Sequence, residues 1–476
     1  MSDILAKIVK QKRLEIEQLY RTEDLDALRE SVRPCTKSFY AKLAAYRTAQ
    51  HPFFITEFKR KSPSEGWMMR DTPIVPQLKN YLQAGAGAIS VLTDHAFFGG
   101  SYKDLAAAAT VLGETEVLLL QKDFILDPIQ IYLARKHGAD IILLIAAILR
   151  TDEIERLLRL AESLGMGVLL EVHNAEEFQK VASLDFPVLG INNRDLKTFH
   201  LALNRTNVLR GESPDRFIVA ESGMTDFRDF RMLQHADGFL IGTAFCKPGN
   251  SSALSGNDFG LNSLFKATPD AAPLFKACGI RKPVHLELEA DFLGVNFSPK
   301  TKRKPEADLL LHLENLSATD SRWEKLVAVF YQNSESEILD ILDRFPFRRV
   351  QLYMGDVPPA FLHTLRKKIL LACRLREQSD LDQLIELATD VDCFILDGDR
   401  PGSGQRIGIP IPTDFPYPFL LAGGIHAENL DAITGLKNCI GIDVASGIEH
   451  QGELDAGRVK DICRKLSDMV QHPTLG

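Results

Sequence analysis

The chain has 476 residues, 45% hydrophobic and 25% charged. This composition can bury large cores and excludes a disordered, collagenous or disulfide-stapled protein. Lys and Arg total 56 against 64 Asp and Glu, a formal net charge of -8, so no basic surface points to a nucleic-acid partner.

The start, MSDILAKIVKQKR, carries charges where a signal peptide would need its apolar stretch. The longest apolar run, Ile141 to Leu149, falls far below the ~20 residues that span a bilayer, so no membrane partner is expected. Seven cysteines, an odd number with no C-x-x-C pair, suit a reducing, cytoplasmic compartment and give no disulfide framework or metal site.

Residues 1 to about 50 read as two polar helices, with ILAKIVKQKRLEIEQL the clearer, placed as a lid or a bottom plug. Eight short apolar runs rich in branched residues then follow: Phe53–Phe58, Ala88–Leu92, Glu116–Leu120, Ile141–Ile145, Gly167–Val172, Pro187–Asn192, Phe217–Glu221 and Asp237–Ile241. Helical stretches lie between them. DPIQIYLARKHGA opens on Asp127 and Pro128 as N-cap and N1. In TDEIERLLRLAESLG, Asp152 and Glu155 have capping-box spacing and Gly165 takes a C-cap place.

Continuous apolar strands alternating with amphipathic helices imply a parallel sheet covered on both faces, and eight such units imply a closed (β/α)8 barrel. The pattern fails from about Ala244 to Ala272, where CKPGNSSALSGNDFGLNS reads as a linker. Eight more runs follow: Leu274–Cys278, Asp291–Phe297, Leu326–Phe330, Arg348–Leu352, Ile369–Arg374, Cys393–Asp397, Phe419–Ala422 and Ile440–Val444. The expected fold is α/β, two tandem TIM barrels: residues 1–254 with the helical extension, a linker over 255–272, and 273–476. A doubly wound pair would need a Gly-rich fingerprint after its first strand. The glycines of GSGQRIG lack G-x-G-x-x-G spacing, and Pro410 and Pro412 bar an immediate helix. No cofactor is expected.

Barrel enzymes work at the carboxyl ends of their strands. In the first half those ends supply Glu57, Lys59, Ser62 and Ser64, then Lys122, Glu171, Asn192 with Arg194, Ser222 with Gly223, and Gly242 with Thr243. Small residues after strands seven and eight let backbone N–H groups approach a phosphate, although such glycines also simply make tight turns. Lysines among carboxylates stay charged and can donate a proton. A lysine desolvated beside another cation could instead form a Schiff base. Residue types leave both options open.

EFKRKSPS, SVLTDHAFFGGSYKDL, QKDFILDPIQIYLARKHGAD, LLEVHN, GINNRDL, AESGM and GFLIGTA resemble, in order and spacing, indole-3-glycerol-phosphate synthase over about residues 38 to 245. The resemblance implies Lys122 as general acid on the substrate ketone and Glu171 as the acid/base partner in loss of water. It puts Glu57 and Asn192 around the reacting carbon and amine, and Lys59 near the substrate carboxylate. Ser62 and Arg194 line the same pocket, Phe98 packs on the anthranilate ring, and Ser222, Gly223, Gly242 and Thr243 hold the phosphate. Glu65 and Gly99 stand where the family commonly has Lys and Asn.

The second half resembles phosphoribosylanthranilate isomerase through FKACGIR, SPKTKR, FILDGDRPGSGQR, LLAGGIHAENL and IGIDVASGIEHQGELD. That resemblance implies Cys278 as general base, Asp397 as general acid, Arg303 on the anthranilate carboxylate, and Gly423, Gly424, Ser446 and Gly447 around the phosphate. For Cys278 to act as base near neutral pH, its thiol is expected to lie below the free value of ~8.5. The family usually reads QLHG after strand four, whereas this chain reads QLYMGD, with Tyr353 in place of histidine. PVHLELEADF also stands where a full helix is expected.

The reading is a bifunctional, cytoplasmic enzyme of tryptophan synthesis with phosphorylated anthranilate substrates, expected as a monomer. The alternatives are an active synthase joined to a decayed structural barrel, and a non-enzymatic sugar-phosphate-binding protein.

Overall fold

A computed structural model describes residues 3–63, 65–195, 200–233, 235–242, 272–397 and 415–471. Ser64, Thr243, the expected linker up to residue 271 and the GSGQRIG stretch lie outside the described residues.

Two parallel sheets each close on themselves. The first contains β1 (Phe53–Phe58), β2 (Ala88–Leu92), β3 (Leu118–Lys122), β4 (Ile141–Ile145), β5 (Gly167–Val172), β6 (Val188–Asn192), β7 (Phe217–Glu221) and β8 (Gly238–Ile241). Each strand pairs with its sequence neighbours, and β8 closes on β1 through Phe53 opposite Gly238 to Thr56 opposite Ile241. The third strand begins two residues later than its apolar run suggested. Gln121 and Lys122 continue the ladder opposite Val91 and Leu92, so polar residues extend an apolar strand into the mouth.

The second barrel contains β9 (Leu274–Cys278), β10 (Phe292–Asn296), β11 (Leu326–Val329), β12 (Arg349–Tyr353), β13 (Lys368–Arg374), β14 (Cys393–Asp397), β15 (Phe419–Leu421) and β16 (Cys439–Val444). It closes through Leu274 opposite Gly441 to Ala277 opposite Val444. The shortened first connection is a 3-10 turn at Pro283–Glu287. The chain divides into two compact units, one on each barrel, and the second takes in His200–Val208 and Arg228–Gln234.

Three helices, not two, precede β1: α1 (Asp3–Thr22), α2 (Leu25–Ser31) and α3 (Phe39–Thr48). The additional start has a local cause. The Asp24 side chain accepts from the Asp26 and Ala27 N–H groups, and Ser38 caps α3 by accepting from Ala41. Phe39 and Leu43 of α3 join Phe53, Val188 and Phe217 in the core at the amino ends of the strands. A Cβ on Gly167 would lie 2.5 Å from Phe39, so glycine there admits the ring. At the opposite end, Ile4, Leu5 and Ile8 of α1 line the cavity at the mouth. Lys12 fastens that helix, with Nζ 3.0 Å from Asp94 and 2.8 Å from Asp123.

Asp127 and Pro128 open their helix as expected, with Gln130 completing the capping box. The Asp152–Glu155 box does not form. That helix starts at Thr151, and the Arg150 N–H donates to Glu153 instead. Gly165 lies in the left-handed region at φ 66°, as a residue following a helix end often does.

Candidate active sites

Strand alternation sends every second side chain into a barrel, and the last inward residue of each strand reaches the carboxyl mouth. In the first barrel these positions enclose a cavity of about 330 Å³. Glu57, Lys59, Ser62, Phe98, Lys122, Glu171, Asn192, Arg194, Ser222, Gly223 and Gly242 all line it.

Its centre is an ion cluster. Lys122 Nζ lies 2.7 Å from Glu221, 3.5 Å from Glu57 and 4.0 Å from Glu171, each carboxylate on a different strand. Lys59 Nζ lies 2.5 Å from the other oxygen of Glu57. Burial would lower the Lys122 pKa, but the three carboxylates overturn that and raise it. A lysine so held stays protonated, which suits a proton donor and not a Schiff-base nucleophile.

The carboxylates differ among themselves. Burial opposes ionisation of Glu171, but His173, at 3.0 Å, and Lys122 hold its pKa down. Burial pushes Glu221 up, and the Glu171 charge pushes it further while Lys122 opposes. Like charges sharing a site separate in this way. Asn192 donates to Glu171 at 3.3 Å and its oxygen accepts from the Arg194 N–H at 3.0 Å. Burial pushes Glu57 up as well, but the Lys59 and Lys122 charges overcome it and bring the carboxyl below the usual carboxylate range.

Small residues have two uses here. A Cβ on Gly242 would lie 2.2 Å from Glu57 Oε1 and 3.1 Å from Lys59 Nζ, so this glycine makes room for the ion pair. Gly190 does the same for Glu221, at 2.4 Å. Ser222 and Gly223 are consecutive left-handed residues, at φ 66° and 91°, and turn the chain sharply at the end of β7.

Sequence alone places Glu221 and His173 in their motifs but assigns them no role in the site. Glu221 stands at a strand end just before Ser222 and Gly223, and His173 lies two residues after Glu171, on the same face. Both positions were open to the strand-end argument.

The second barrel encloses a cavity of about 190 Å³ lined by Cys278, Arg303, Asp397, Gly423, Gly424 and Ser446. Gly447 is not on its wall; a Cβ there would lie 2.0 Å from the Ile425 carbonyl, so the residue packs behind the mouth. Gly423 and Gly424 are both left-handed, at φ 82° and 68°, repeating the turn after strand seven of the first barrel. Arg303 is held by Glu449, with Nη2 2.8 Å from Oε2.

Burial raises the Cys278 thiol, against the expectation that the site would lower it; Lys276 pulls it down and Asp443 pushes it up. Tyr353 is buried, packs edge-on against Tyr331 with centroids 4.9 Å apart, and is pushed well above its ordinary value by burial and by Asp397 and Asp443. Lys276 and Asp443, 2.8 Å apart, were not singled out from the sequence. A lysine inside an apolar strand, FKAC, was the available signal.

Two closed parallel barrels, each with an acid–base cluster at its carboxyl mouth, define a double-barrel enzyme. Among the described residues no helix is long and apolar enough to cross a membrane, and no group of three His, Cys, Asp or Glu is placed to hold a metal.

The family model of indole-3-glycerol phosphate synthase matches residues 5–254, and that of N-(5'phosphoribosyl)anthranilate (PRA) isomerase matches 282–465. The second match begins after Cys278. Tryptophan biosynthesis protein TrpCF of Salmonella typhi is 32% identical over 96% of this chain and 98% of its own length. A multifunctional tryptophan biosynthesis protein of Schizosaccharomyces pombe is 28% identical over 98% of this chain, which spans 66% of that protein. Indole-3-glycerol phosphate synthase of Bacteroides thetaiotaomicron is 39% identical over 52% of this chain and 94% of its own length. The chain belongs to the bifunctional tryptophan-biosynthesis family that joins indole-3-glycerol-phosphate synthase to phosphoribosylanthranilate isomerase. Nothing in these matches supports a decayed second barrel.

Proposed function

We propose that the second barrel isomerises N-(5-phosphoribosyl)anthranilate to 1-(2-carboxyphenylamino)-1-deoxyribulose 5-phosphate, and that the first closes this product to indole-3-glycerol phosphate. In the isomerase, Asp397 protonates the furanose oxygen as the C1–O bond breaks. Cys278 removes the C2 proton, and reprotonation gives the aminoketone. Arg303 pairs with the anthranilate carboxylate, and Gly423, Gly424 and Ser446 form the phosphate end, with Gly447 packed behind it.

In the synthase, Lys122 gives its proton to the ketone oxygen while the aromatic carbon attacks. Carbon dioxide then leaves, and Glu171 assists loss of water. Glu57 and Asn192 surround the reacting carbon and amine, Lys59 meets the substrate carboxylate, and Ser62 and Arg194 line the pocket. Phe98, 5.9 Å from Phe124 between ring centroids, offers a face to the anthranilate ring. Ser222, Gly223, Gly242 and Thr243 receive the phosphate.

The observation that carries this reading is the Lys122 ammonium among carboxylates from three strands. A binding protein has no need of that arrangement, and it keeps the lysine in its acid form. The six described cysteines are free, which suits a cytoplasmic protein, and we take the chain to act there as a monomer. The test is turnover of phosphoribosylanthranilate by the purified chain, with each step followed separately.

A further inference from the structure

Lys276 is fully buried in β9, two residues before Cys278 and on the same inward face. Its Nζ lies 2.8 Å from Asp443 Oδ1, and the two residues are register partners across the seam that closes the barrel. A Cβ on Gly294 of the neighbouring strand β10 would lie 3.0 Å from Cys278 Sγ and 3.1 Å from Lys276 Nζ. The thiol and the ammonium therefore flank one space that only a glycine leaves open. Asp443 and Cys278 line the cavity, whereas Lys276 sits behind its wall.

An ammonium in a fully buried place is costly unless charges require it. Asp443 is one such charge, and a thiolate at Cys278 is the other group within its reach. We propose that Lys276 is a positioning residue of the isomerase: it stabilises the Cys278 thiolate from beneath, and Asp443 sets how much of its charge reaches the sulfur. The inference rests on Cys278 being the base.

When the thiolate takes the C2 proton it becomes a neutral thiol, and the Lys276 charge then faces Asp443 alone. No oxidant or further reactant is needed. Besides Lys276 and Asp443, the charged or titratable groups around the sulfur are Arg303 from the segment after β10 and Tyr353 from β12, with Asp397 of β14 next to Tyr353.

The test is the pH dependence of Cys278 alkylation by iodoacetamide in the folded, full-length chain, with the Cys278 peptide followed by mass spectrometry. Lys276→Met should move the midpoint up by about one pH unit or more, as loss of a close opposite charge does. Asp443→Asn should move it down, because the ammonium then loses its competing partner. Opposite shifts are not expected of general damage to packing. Isomerase kcat should fall in Lys276→Met with little change in KM, because the side chain is not on the cavity wall. An unchanged midpoint in Lys276→Met, or shifts of the same sign in both variants, overturns the proposal. If Lys276→Met does not fold, Asp443→Asn decides alone: a midpoint that stays or rises counts against it. Whether Cys278 is the base is tested apart, by isomerase turnover of Cys278→Ser; retained turnover there removes the base while the alkylation midpoints still judge Lys276.

Discussion

The Lys122 ammonium and the Glu221 carboxylate form a 2.7 Å ion pair between the ends of β3 and β7. The two strands lie on different sides of the first barrel, so the pair spans the floor of the mouth. Glu171 stays ionised beside it under the influence of His173, while Glu221 is pushed up by burial. Lys122 is thus held charged and aimed at one place, as a proton donor must be.

Lys122→Ala should abolish ring closure and leave isomerisation intact, because the two reactions use different barrels. Loss of one positioned acid costs roughly 10²–10⁴-fold in rate. With phosphoribosylanthranilate as substrate, the carboxyphenylamino-deoxyribulose phosphate should accumulate. Loss of both activities in a folded variant would contradict the separation.

His173 gives a pH dependence of stability. Burial opposes its protonation, but Glu171 and Glu177 raise it to about 10 from 6.5. Below 6.5 both folded and unfolded chains hold the proton, and the stabilisation is fully present. Between 6.5 and 10 only the folded chain holds it, so stability falls as pH rises through that window. His173→Gln should flatten the slope, which for one proton is at most about 1.4 kcal/mol per pH unit. Urea unfolding at several pH values measures it, and parallel slopes in both proteins would refute the assignment.

Lys12→Met should destabilise the first barrel and weaken substrate binding there. It leaves Asp94 and Asp123 buried without the cation between them, and breaking a buried pair in this way costs about 3–5 kcal/mol. The same residue fastens α1, whose Ile4, Leu5 and Ile8 roof the cavity. A lower urea midpoint together with a raised synthase KM is expected; an unchanged KM would mean that the helix does not close the site.

Much of this was legible in the sequence because strands in a closed parallel barrel are buried on both faces and read as apolar runs. Seven of the sixteen runs coincide with the observed strands residue for residue, among them Phe53–Phe58 and Cys393–Asp397. Errors arose where polar residues carry the pattern. Lys122 and Gln121 extend β3 beyond its apolar run, and Asp24 and Ser38 start helices within a polar stretch. The strand-end argument reached Lys122, Glu171 and Asn192, yet passed over Glu221, His173, Lys276 and Asp443. Glu221, Lys276 and Asp443 take their roles from partners distant in the chain, and pairing across a barrel leaves no local spacing to read; His173 pairs locally, with Glu171 and Glu177. The raised Cys278 thiol is hidden from the sequence for a related reason: its burial comes from the neighbouring strands and not from its own segment.

Tyr353→His should add an ionisation to the isomerase. Burial and nearby carboxylates keep the native phenol protonated well past its ordinary range, whereas histidine titrates near neutrality. The pH–rate profile of the variant should therefore gain a limb between about pH 5 and 8 that the native profile lacks. Profiles of the same shape would mean that the Tyr353 position does not face the reacting groups.

The most direct measurement is stepwise turnover of phosphoribosylanthranilate by the full chain beside its Cys278→Ser variant. The native chain should form the aminoketone and then indole-3-glycerol phosphate. The variant should lose the first step by roughly 10²-fold or more and still close the ring when given the aminoketone. A native chain that closes the ring but cannot isomerise, or a variant that isomerises at the native rate, would contradict the account.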